Sequence, residues 1–169
     1  MPADAPAIVH DAPPPGDARP IDAPVMAGCA SGATCQASMD LGTVSGDTGN
    51  ATVMGSGYQS AWYHVRVTED DSGVFAVAMS FTVRLTSPAS AKYDVFVYLN
   101  TGSDVIECAT PSGNVMTAGL VESTYILWGE SGTFSNGNDD GRTVSIEVRA
   151  PSTGCSAASP WQLQVQGNT

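Results

Sequence analysis

Two groups of neighbouring carboxylates are the strongest chemical signal in this sequence. Glu69, Asp70 and Asp71 follow one another in a predicted turn, and Asp139 and Asp140 are adjacent in a second polar stretch. Carboxylate oxygens on loops are the ligands that Ca²⁺ prefers in proteins. The sequence therefore offers calcium as its one candidate cofactor, at either group. The alternative, for the second group especially, is an ordinary Asn/Asp/Gly turn with no ion.

Nucleophilic catalysis finds little support in the sequence. A serine or cysteine nucleophile needs a base beside it. The histidines are His10, in a proline-rich stretch, and His64, inside a predicted strand. No serine lies in a Gly-x-Ser-x-Gly turn between a strand and a helix. We predict that the protein is not an enzyme; a hydrolase would require a cleft in which His64 is hydrogen-bonded to a serine.

Aromatic side chains on one predicted face form the second candidate site. The alternation of two strands places four of them on the same side, away from the apolar positions: Trp62, His64, Phe96 and Tyr98. Exposed aromatic groups often mark surfaces that bind proteins or sugars. The alternative, which we favour, is that the second sheet or a loop covers this face.

Four cysteines predict two disulfides, because the composition is not that of a cytosolic protein. Cys29 and Cys35 are six positions apart, and Cys108 and Cys155 are separated by a long segment. We predict the pairs Cys29–Cys35 and Cys108–Cys155, although four cysteines allow three pairings. A zinc site is not expected, since no second cysteine pair or nearby histidine completes the ligand set.

The elements that must position these residues are short strands. Residues 92–100 alternate between an apolar face and a face with Asp94, Phe96 and Tyr98, which predicts a central strand covered on both sides. We expect Arg84, on a neighbouring strand, to pair with Asp94. Similar alternation predicts strands at 60–68, 77–86, 122–129, 143–149 and 161–166, and an edge hairpin at 41–47 and 51–55. About eight strands with frequent turn signals predict an all-β fold, an antiparallel β-sandwich.

Composition and charge exclude several classes of function. The 169 residues carry a formal net charge of −11, with only six Lys plus Arg. Nucleic-acid binding and electrostatic attachment to anionic lipid both need a cationic patch, so neither is expected. No apolar run reaches the length of a membrane span. Eighteen glycines and eleven prolines suit short strands joined by turns.

The first 27 residues differ in composition from the rest. The tripeptide Asp-Ala-Pro recurs at Asp4, Asp11 and Asp22, and three prolines follow one another at 13–15. Such a segment buries little apolar surface, so we predict a disordered, extended linker over 1–27 and one folded domain over 28–169. No signal peptide precedes it, and we expect that an export signal has been removed. A monomer outside the cytoplasm is expected.

Five strand motifs together resemble a known family. They are WYHVRVTE (62–69), SFTVRLTS (80–87), YDVFVY (93–98), SIEVR (145–149) and WQLQVQG (161–167), and their order and spacing resemble the bacterial pre-peptidase C-terminal (PPC) domain. The linker resembles those of secreted proteins and lipoproteins of myxobacteria-like organisms. The resemblance implies a jelly-roll β-sandwich, non-catalytic and appended to exported proteins. Relatives that resemble collagen-binding modules bind calcium and extracellular polymer. Two differences are the absence of an attached peptidase and the extra cysteines.

We therefore expect a non-catalytic, secreted or cell-surface module that binds extracellular protein or polysaccharide or acts as a spacer. The alternative is a structural stalk domain that disulfides stabilise and that has no ligand of its own. Removal of calcium would separate the two, since an ion bound only to the folded state stabilises it.

Overall fold

The computed structural model describes residue 29 and residues 33–71, 73–115, 118–152, 154–155 and 158–169. The predicted linker over 1–27, with His10, lies outside the described residues, and the domain boundary at residue 28 stays a prediction. The described part of the chain contains no helix with the length and apolar composition that crossing a lipid bilayer requires. Its one helical segment is a short 3₁₀ turn, Cys35–Ala37.

Alternating side chains form nine strands in the described part of the chain, one more than the sequence predicts. The strands are β1 (Met39–Ser45), β2 (Thr52–Gly57), β3 (Ala61–Thr68), β4 (Ala78–Thr86), β5 (Asp94–Tyr98), β6 (Gly113–Val115), β7 (Val121–Gly129), β8 (Arg142–Arg149) and β9 (Trp161–Gly167). β6 is the additional strand, and it pairs with β5.

The strands form two sheets that pack face to face. Sheet A has the order β1-β3-β8-β5-β6, and sheet B has the order β2-β9-β4-β7. Every pairing is antiparallel except that of β1 with β3. The predicted all-β sandwich is therefore confirmed, whereas the finer assignment to the jelly-roll class stays a prediction.

The core lies between the two sheets and follows the period-2 pattern of the sequence. In β3, every second residue from Ala61 to Val67 is buried, and the residues between them are partly exposed. β4 and β9 contribute their inward-facing residues in the same way. The largest side chains that are fully buried are Trp161, Tyr93, Phe81, Met79 and Leu85. Both faces of β5 are buried, as its aromatic content predicts.

The predicted edge hairpin over 41–47 and 51–55 is wrong. β1 pairs with β3 in sheet A, and β2 pairs with β9 in sheet B. The chain crosses between the sheets at Gly46, which donates to the carbonyl of Thr68 at 2.9 Å and accepts from the N–H of Ser80 at 2.7 Å. A Cβ at this position would lie 2.5 Å from Cε of Met79 and 2.9 Å from Cγ1 of Val67, so a larger residue at the crossing would have to displace core side chains. Local turn signals do not distinguish such a crossing from a hairpin.

The predicted pairing of Asp94 with Arg84 is also wrong, because the two residues lie on different sheets. Asp94 begins β5 in sheet A, and its carboxylate contacts the ammonium group of Lys92. Nζ of Lys92 lies 2.9 Å from a carboxylate oxygen of Glu122 on β7. Arg84 lies in β4 of sheet B and is exposed.

The disulfides link Cys29 to Cys155 and Cys35 to Cys108, with Cα–Cα distances of 5.4 and 5.9 Å. The predicted pairs, Cys29–Cys35 and Cys108–Cys155, are therefore wrong. Cys29 belongs to the core between the sheets, next to the start of β3, where its carbonyl accepts the N–H of Ser60. Cys35 begins the 3₁₀ turn outside that core and lies against the segment around Cys108. Short separation in sequence does not bring the two sulfurs together.

We expect peptide mapping of the unreduced protein to recover these two pairs. Elastase is suitable because it cleaves after alanine, and alanines separate Cys29 from Cys35. The variant Cys35→Ser/Cys108→Ser should lose about 4 kcal/mol of unfolding free energy, since the disulfide closes a loop of 73 residues. The variant Cys29→Ser/Cys155→Ser should lose about 5 kcal/mol, since its loop spans 126 residues. A peptide that joins Cys29 to Cys35 would contradict this pairing.

Candidate functional site

Two loops at one end of the sandwich form the candidate site. The first, residues 69–77, connects β3 to β4, and the second, residues 130–141, connects β7 to β8. They pair with each other through an isolated bridge between Phe75 and Phe134. The N–H of Ser135 donates to the carbonyl of Val74 at 3.1 Å. The two acidic groups that the sequence separates by about seventy positions therefore share one end of the molecule.

An open cleft of about 310 Å³ lies between these loops, and we call it the acidic cleft. Its lining contains four of the five predicted metal-binding residues, Glu69, Asp70, Asp71 and Asp139. The remainder of the lining is small or polar: Gly73, Ser135, Gly137 and Asn138. Asp140, the fifth predicted residue, is buried behind the cleft, where an oxygen of its carboxylate lies 3.5 Å from the guanidinium of Arg142.

The shape of the first loop depends on Asp47, a residue that the sequence does not single out. Its carboxylate is buried and accepts the N–H groups of Asp70 at 3.0 Å and Asp71 at 2.7 Å, and the hydroxyl of Ser45 at 2.8 Å. Burial by itself would raise the pKa of Asp47, but these hydrogen bonds outweigh it and lower the pKa below 3.8. Asp47 thus holds Asp70 and Asp71 at the rim of the cleft.

Two further carboxylates, those of Glu130 and Glu69, hold the other loop. Oε1 of Glu130 accepts the hydroxyl of Ser135 at 2.7 Å and the N–H of Asn136 at 2.6 Å. The hydrogen bond from Ser135 is the main reason that the pKa of Glu130 is lowered. Oε2 of Glu69 accepts the N–H of Asp140 at 2.5 Å, which joins the two loops.

Negative charge is concentrated around Glu69. Its pKa is raised, first by burial and then by repulsion from the carboxylates of Asp140, Glu130 and Asp139, and the hydrogen bond from the N–H of Asp140 opposes the rise. A cation in the cleft would relieve this repulsion.

The donor types fit calcium, but their arrangement does not converge on one point. Asp71 and Asp139 each use one carboxylate oxygen to accept a backbone N–H two residues ahead, from Gly73 and Gly141. Among the described residues, no three acidic, histidine or cysteine side chains are close enough together to hold an ion as they stand. Calcium binding would therefore require the carboxylates to move toward one another.

Exposed apolar residues lie beside the cleft, and we call Val74, Phe75 and Phe134 the aromatic tip. The two rings stack with centroids 6.3 Å apart and planes 16° apart. Phe75 is 64% exposed, and Val74 and Phe134 are each 70% exposed. The sequence analysis missed this feature. Its signal is a bulky apolar residue within each of two polar, glycine-containing loops.

Phe96 and Tyr98 of the predicted aromatic face are buried, and the contacts that cover them come from side chains of the same face of sheet A and not from the second sheet. Phe96 and Tyr98 are 7% and 5% exposed, and only Trp62 and His64 of the four are partly exposed. The guanidinium of Arg149 lies 4.2 Å from the ring centroid of Phe96. The ring of Tyr98 lies 5.2 Å from that of Trp62, and its hydroxyl donates to Glu147 at 2.9 Å. The four side chains share one face, but they do not form an open platform.

His64 has a serine and an aspartate beside it. Its Nδ1 lies 3.1 Å from the hydroxyl of Ser38, and its Nε2 lies 3.5 Å from a carboxylate oxygen of Asp40. The side chain of Asp40 is 67% exposed, and the same oxygen accepts the N–H of Gly42 at 2.7 Å. Acyl transfer also needs oxyanion donors and a substrate pocket beside the nucleophile. The structure thus supplies the hydrogen bond between His64 and a serine, which is one of the several features that a hydrolase requires.

No family model and no curated protein sequence matches this chain. A pre-peptidase C-terminal domain of a collagenase from Bacillus anthracis is structurally similar, with 10% identity and a TM-score of 0.43, over 76% of this chain and 95% of that one. PliG of Aeromonas hydrophila, a periplasmic inhibitor of g-type lysozyme, gives 16% identity and a TM-score of 0.34, over 75% of this chain and 96% of that one. The first agrees with the family that the strand motifs resemble. At TM-scores this low, neither likeness carries information about function.

Replacement of Asp47 tests whether its carboxylate anchors the first loop of the acidic cleft. Asp47→Ala leaves three donors without their charged acceptor, so we expect a loss of about 2–3 kcal/mol of unfolding free energy at pH 7. The pKa of Asp47 is lower in the folded protein than its ordinary value of 3.8. Its carboxylate therefore contributes stability that is present above pH 3.8 and is lost as the pH falls through the folded-state pKa. The difference in unfolding free energy between the wild type and Asp47→Ala should therefore become smaller as the pH is lowered. Urea titrations from pH 7 to 3 measure this, with the exposed Asp40→Ala as control. Equal stability of Asp47→Ala and wild type at pH 7 would contradict the anchoring role.

Proposed function

We propose that this chain is a non-catalytic, monomeric module outside the cytoplasm that binds an extracellular protein through the aromatic tip and the acidic cleft. The observation that carries the proposal is the exposed stack of Phe75 on Phe134, on the same two loops that carry the four carboxylates of the cleft. Two long-range disulfides, which persist in oxidising compartments, support the location.

The chemistry of the site indicates what kind of protein surface fits it. Large aromatic groups at the centre of an interface supply most of the binding energy, and charged groups around them select the partner. Here the apolar centre is the aromatic tip, and its neighbour is the acidic cleft. The complementary surface carries an exposed apolar residue next to lysine or arginine side chains. A cationic side chain in the cleft would also relieve the repulsion that raises the pKa of Glu69.

A phage-displayed library of random peptides tests this proposal. We expect selection on the wild-type protein to enrich peptides in which an aromatic or aliphatic residue is flanked by lysine or arginine. Phe75→Ser/Phe134→Ser should weaken binding of the selected peptides at least about tenfold, because it removes the apolar anchor. Raising the salt concentration should weaken binding further, since part of the attraction is between charges.

The matched control is Val121→Ser/Leu127→Ser, which removes two exposed apolar residues from β7. We expect this control to bind the selected peptides as the wild type does. Equal weakening in both variants would show that the peptides bind exposed apolar surface in general. Failure to select any peptide would favour the alternative, a disulfide-stabilised stalk domain with no ligand of its own.

We propose in addition that calcium enters the acidic cleft. Four carboxylates line one opening, and the carboxylate of Glu69 is repelled by three others nearby. Extracellular calcium sites commonly have dissociation constants near 10⁻⁴–10⁻³ M, which leaves room for ligands that converge only when the ion binds. Calcium would then bring the two loops together and, because it binds only the folded state, stabilise the folded protein.

Thermal melts of the oxidised protein test the calcium proposal. About 10 mM calcium should raise the unfolding free energy by about 1–3 kcal/mol relative to chelator. Asp70→Asn/Asp71→Asn should abolish that increase, whereas Asp40→Asn, outside the cleft, should retain it. Identical melts with calcium and with chelator would remove calcium from this site and leave the protein-binding proposal intact.

A further inference from the structure

The distribution of charge points to a second surface, on the opposite side of the sandwich core from the covered aromatic face. Five basic residues lie in the described part of the chain, and four of them contact carboxylates: Arg66, Lys92, Arg142 and Arg149. Arg84 is the fifth, and no described carboxylate lies within ion-pair distance of it. In a chain of net charge −11, an exposed guanidinium without an acidic neighbour is a marked exception.

Arg84 lies near the middle of the outer face of sheet B. β4 has β9 on one side and β7 on the other, so Arg84 is directly opposite Gln164 and Ser123. The next row along β4 places Thr82 opposite Gln166 and Tyr125. Since both neighbouring strands are hydrogen-bonded to β4, the backbone positions of these side chains are fixed. The surface is a rigid part of the fold and not a loop.

Arg84 is the one charged side chain on the outward-facing positions of the four strands of sheet B. The only acidic residue in the four strands of sheet B is Glu122, and it faces the core. Thr82, Arg84, Ser123, Gln164 and Gln166 line a shallow pocket of about 160 Å³. The hydroxyl of Thr82 contacts that of Thr169 at 2.7 Å. The amides of Gln164 and Gln166 and the hydroxyl of Ser123 make no hydrogen bond to another described residue, so they are available to a ligand.

We propose that this face binds an acidic polysaccharide through the carboxylate of a uronic-acid unit on Arg84. The guanidinium can donate two parallel hydrogen bonds to a carboxylate, which a lysine cannot match in geometry. The amide and hydroxyl groups around it are donors and acceptors for sugar hydroxyls. The ring of Tyr125, 54% exposed, offers a flat apolar surface for a pyranose ring.

Other anionic ligands fit the face less well. Nucleic acids and phosphopeptides are bound by clusters of basic residues, and here one arginine stands alone. An extended neutral chain with an occasional carboxylate matches one cation whose immediate neighbours are amides and hydroxyls. This surface and the aromatic tip have opposite charge preferences and lie on different elements, so the inference does not depend on the proposed function.

Calorimetric titration with oligogalacturonate tests the inference. We expect the wild-type protein to bind it at physiological salt, and Arg84→Gln to weaken binding about tenfold or more. Arg84→Lys should restore only part of the affinity, because it keeps the charge and loses the paired hydrogen bonds. The same oligosaccharide with its carboxylates methyl-esterified keeps the hydroxyl groups and should bind as weakly to the wild type as the acid form binds to Arg84→Gln.

The controls separate this surface from the rest of the molecule. Arg84 has no ion-pair partner among the residues that the structure describes, so Arg84→Gln should melt as the wild type does. Phe75→Ser/Phe134→Ser should bind oligogalacturonate normally. Three results would overturn the inference: no binding by the wild type, equal binding by Arg84→Gln, or equal binding of the methyl ester. Dextran sulfate binding as tightly as oligogalacturonate would also overturn it, by showing attraction to anions in general.

Discussion

The buried carboxylate of Glu122 joins the two sheets of this protein. It belongs to β7 of sheet B and is 1% exposed. Its Oε2 accepts the N–H of Val95, in β5 of sheet A, at 3.1 Å, and its Oε1 lies 2.9 Å from the ammonium group of Lys92. A buried carboxylate without partners costs several kcal/mol, so the sandwich is acceptable only where the sheets meet in this arrangement. Burial lowers the pKa of Lys92, but Asp94 and Glu122 outweigh it and keep the amine protonated. Charge and hydrogen bonding thus tie β7 of sheet B to β5 of sheet A at one defined position.

The two loops that carry the aromatic tip are anchored independently of its exposed apolar side chains, so exposing them takes little from the stability of the fold. The loops are held by their backbones, through Asp47 on one side and Glu130 on the other. Neither anchor uses Phe75 or Phe134, whose rings contact each other. Because the loops are held without them, the rings of Phe75 and Phe134 are available to contact the proposed protein partner. The same carboxylates that order the loops also collect negative charge beside the rings.

The sequence predicts the strands well because alternation is a local property. β3, β4, β8 and β9 lie within about two residues of their expected positions.

The features that the sequence analysis misses depend on contacts between distant positions. The crossing at Gly46 looks like a turn in sequence, and the disulfide partners depend on which side of the core each cysteine occupies. The acidic residues were found individually, but their common cleft is a result of the fold. The aromatic tip was missed because apolar residues in loops have no periodicity to mark them.

Acidic side chains are distributed unevenly over the surface of the protein. This uneven distribution is the strongest argument that the loop end and the outer face of sheet B are two separate binding surfaces. Carboxylates gather at the loop end and on the outer face of sheet A, where Glu147 and Asp104 neutralise the arginines around them. The outer face of sheet B has no acidic side chain on its four strands, and its one arginine is unpaired among the described residues. A chain that needed only solubility would gain nothing by keeping this face free of carboxylates, since acidic residues elsewhere already supply the net charge. The proposed binding surfaces would use the unpaired Arg84 and the exposed Phe75 and Phe134, whereas a stalk domain with no ligand would not. The two features therefore favour a module that binds over one that only separates.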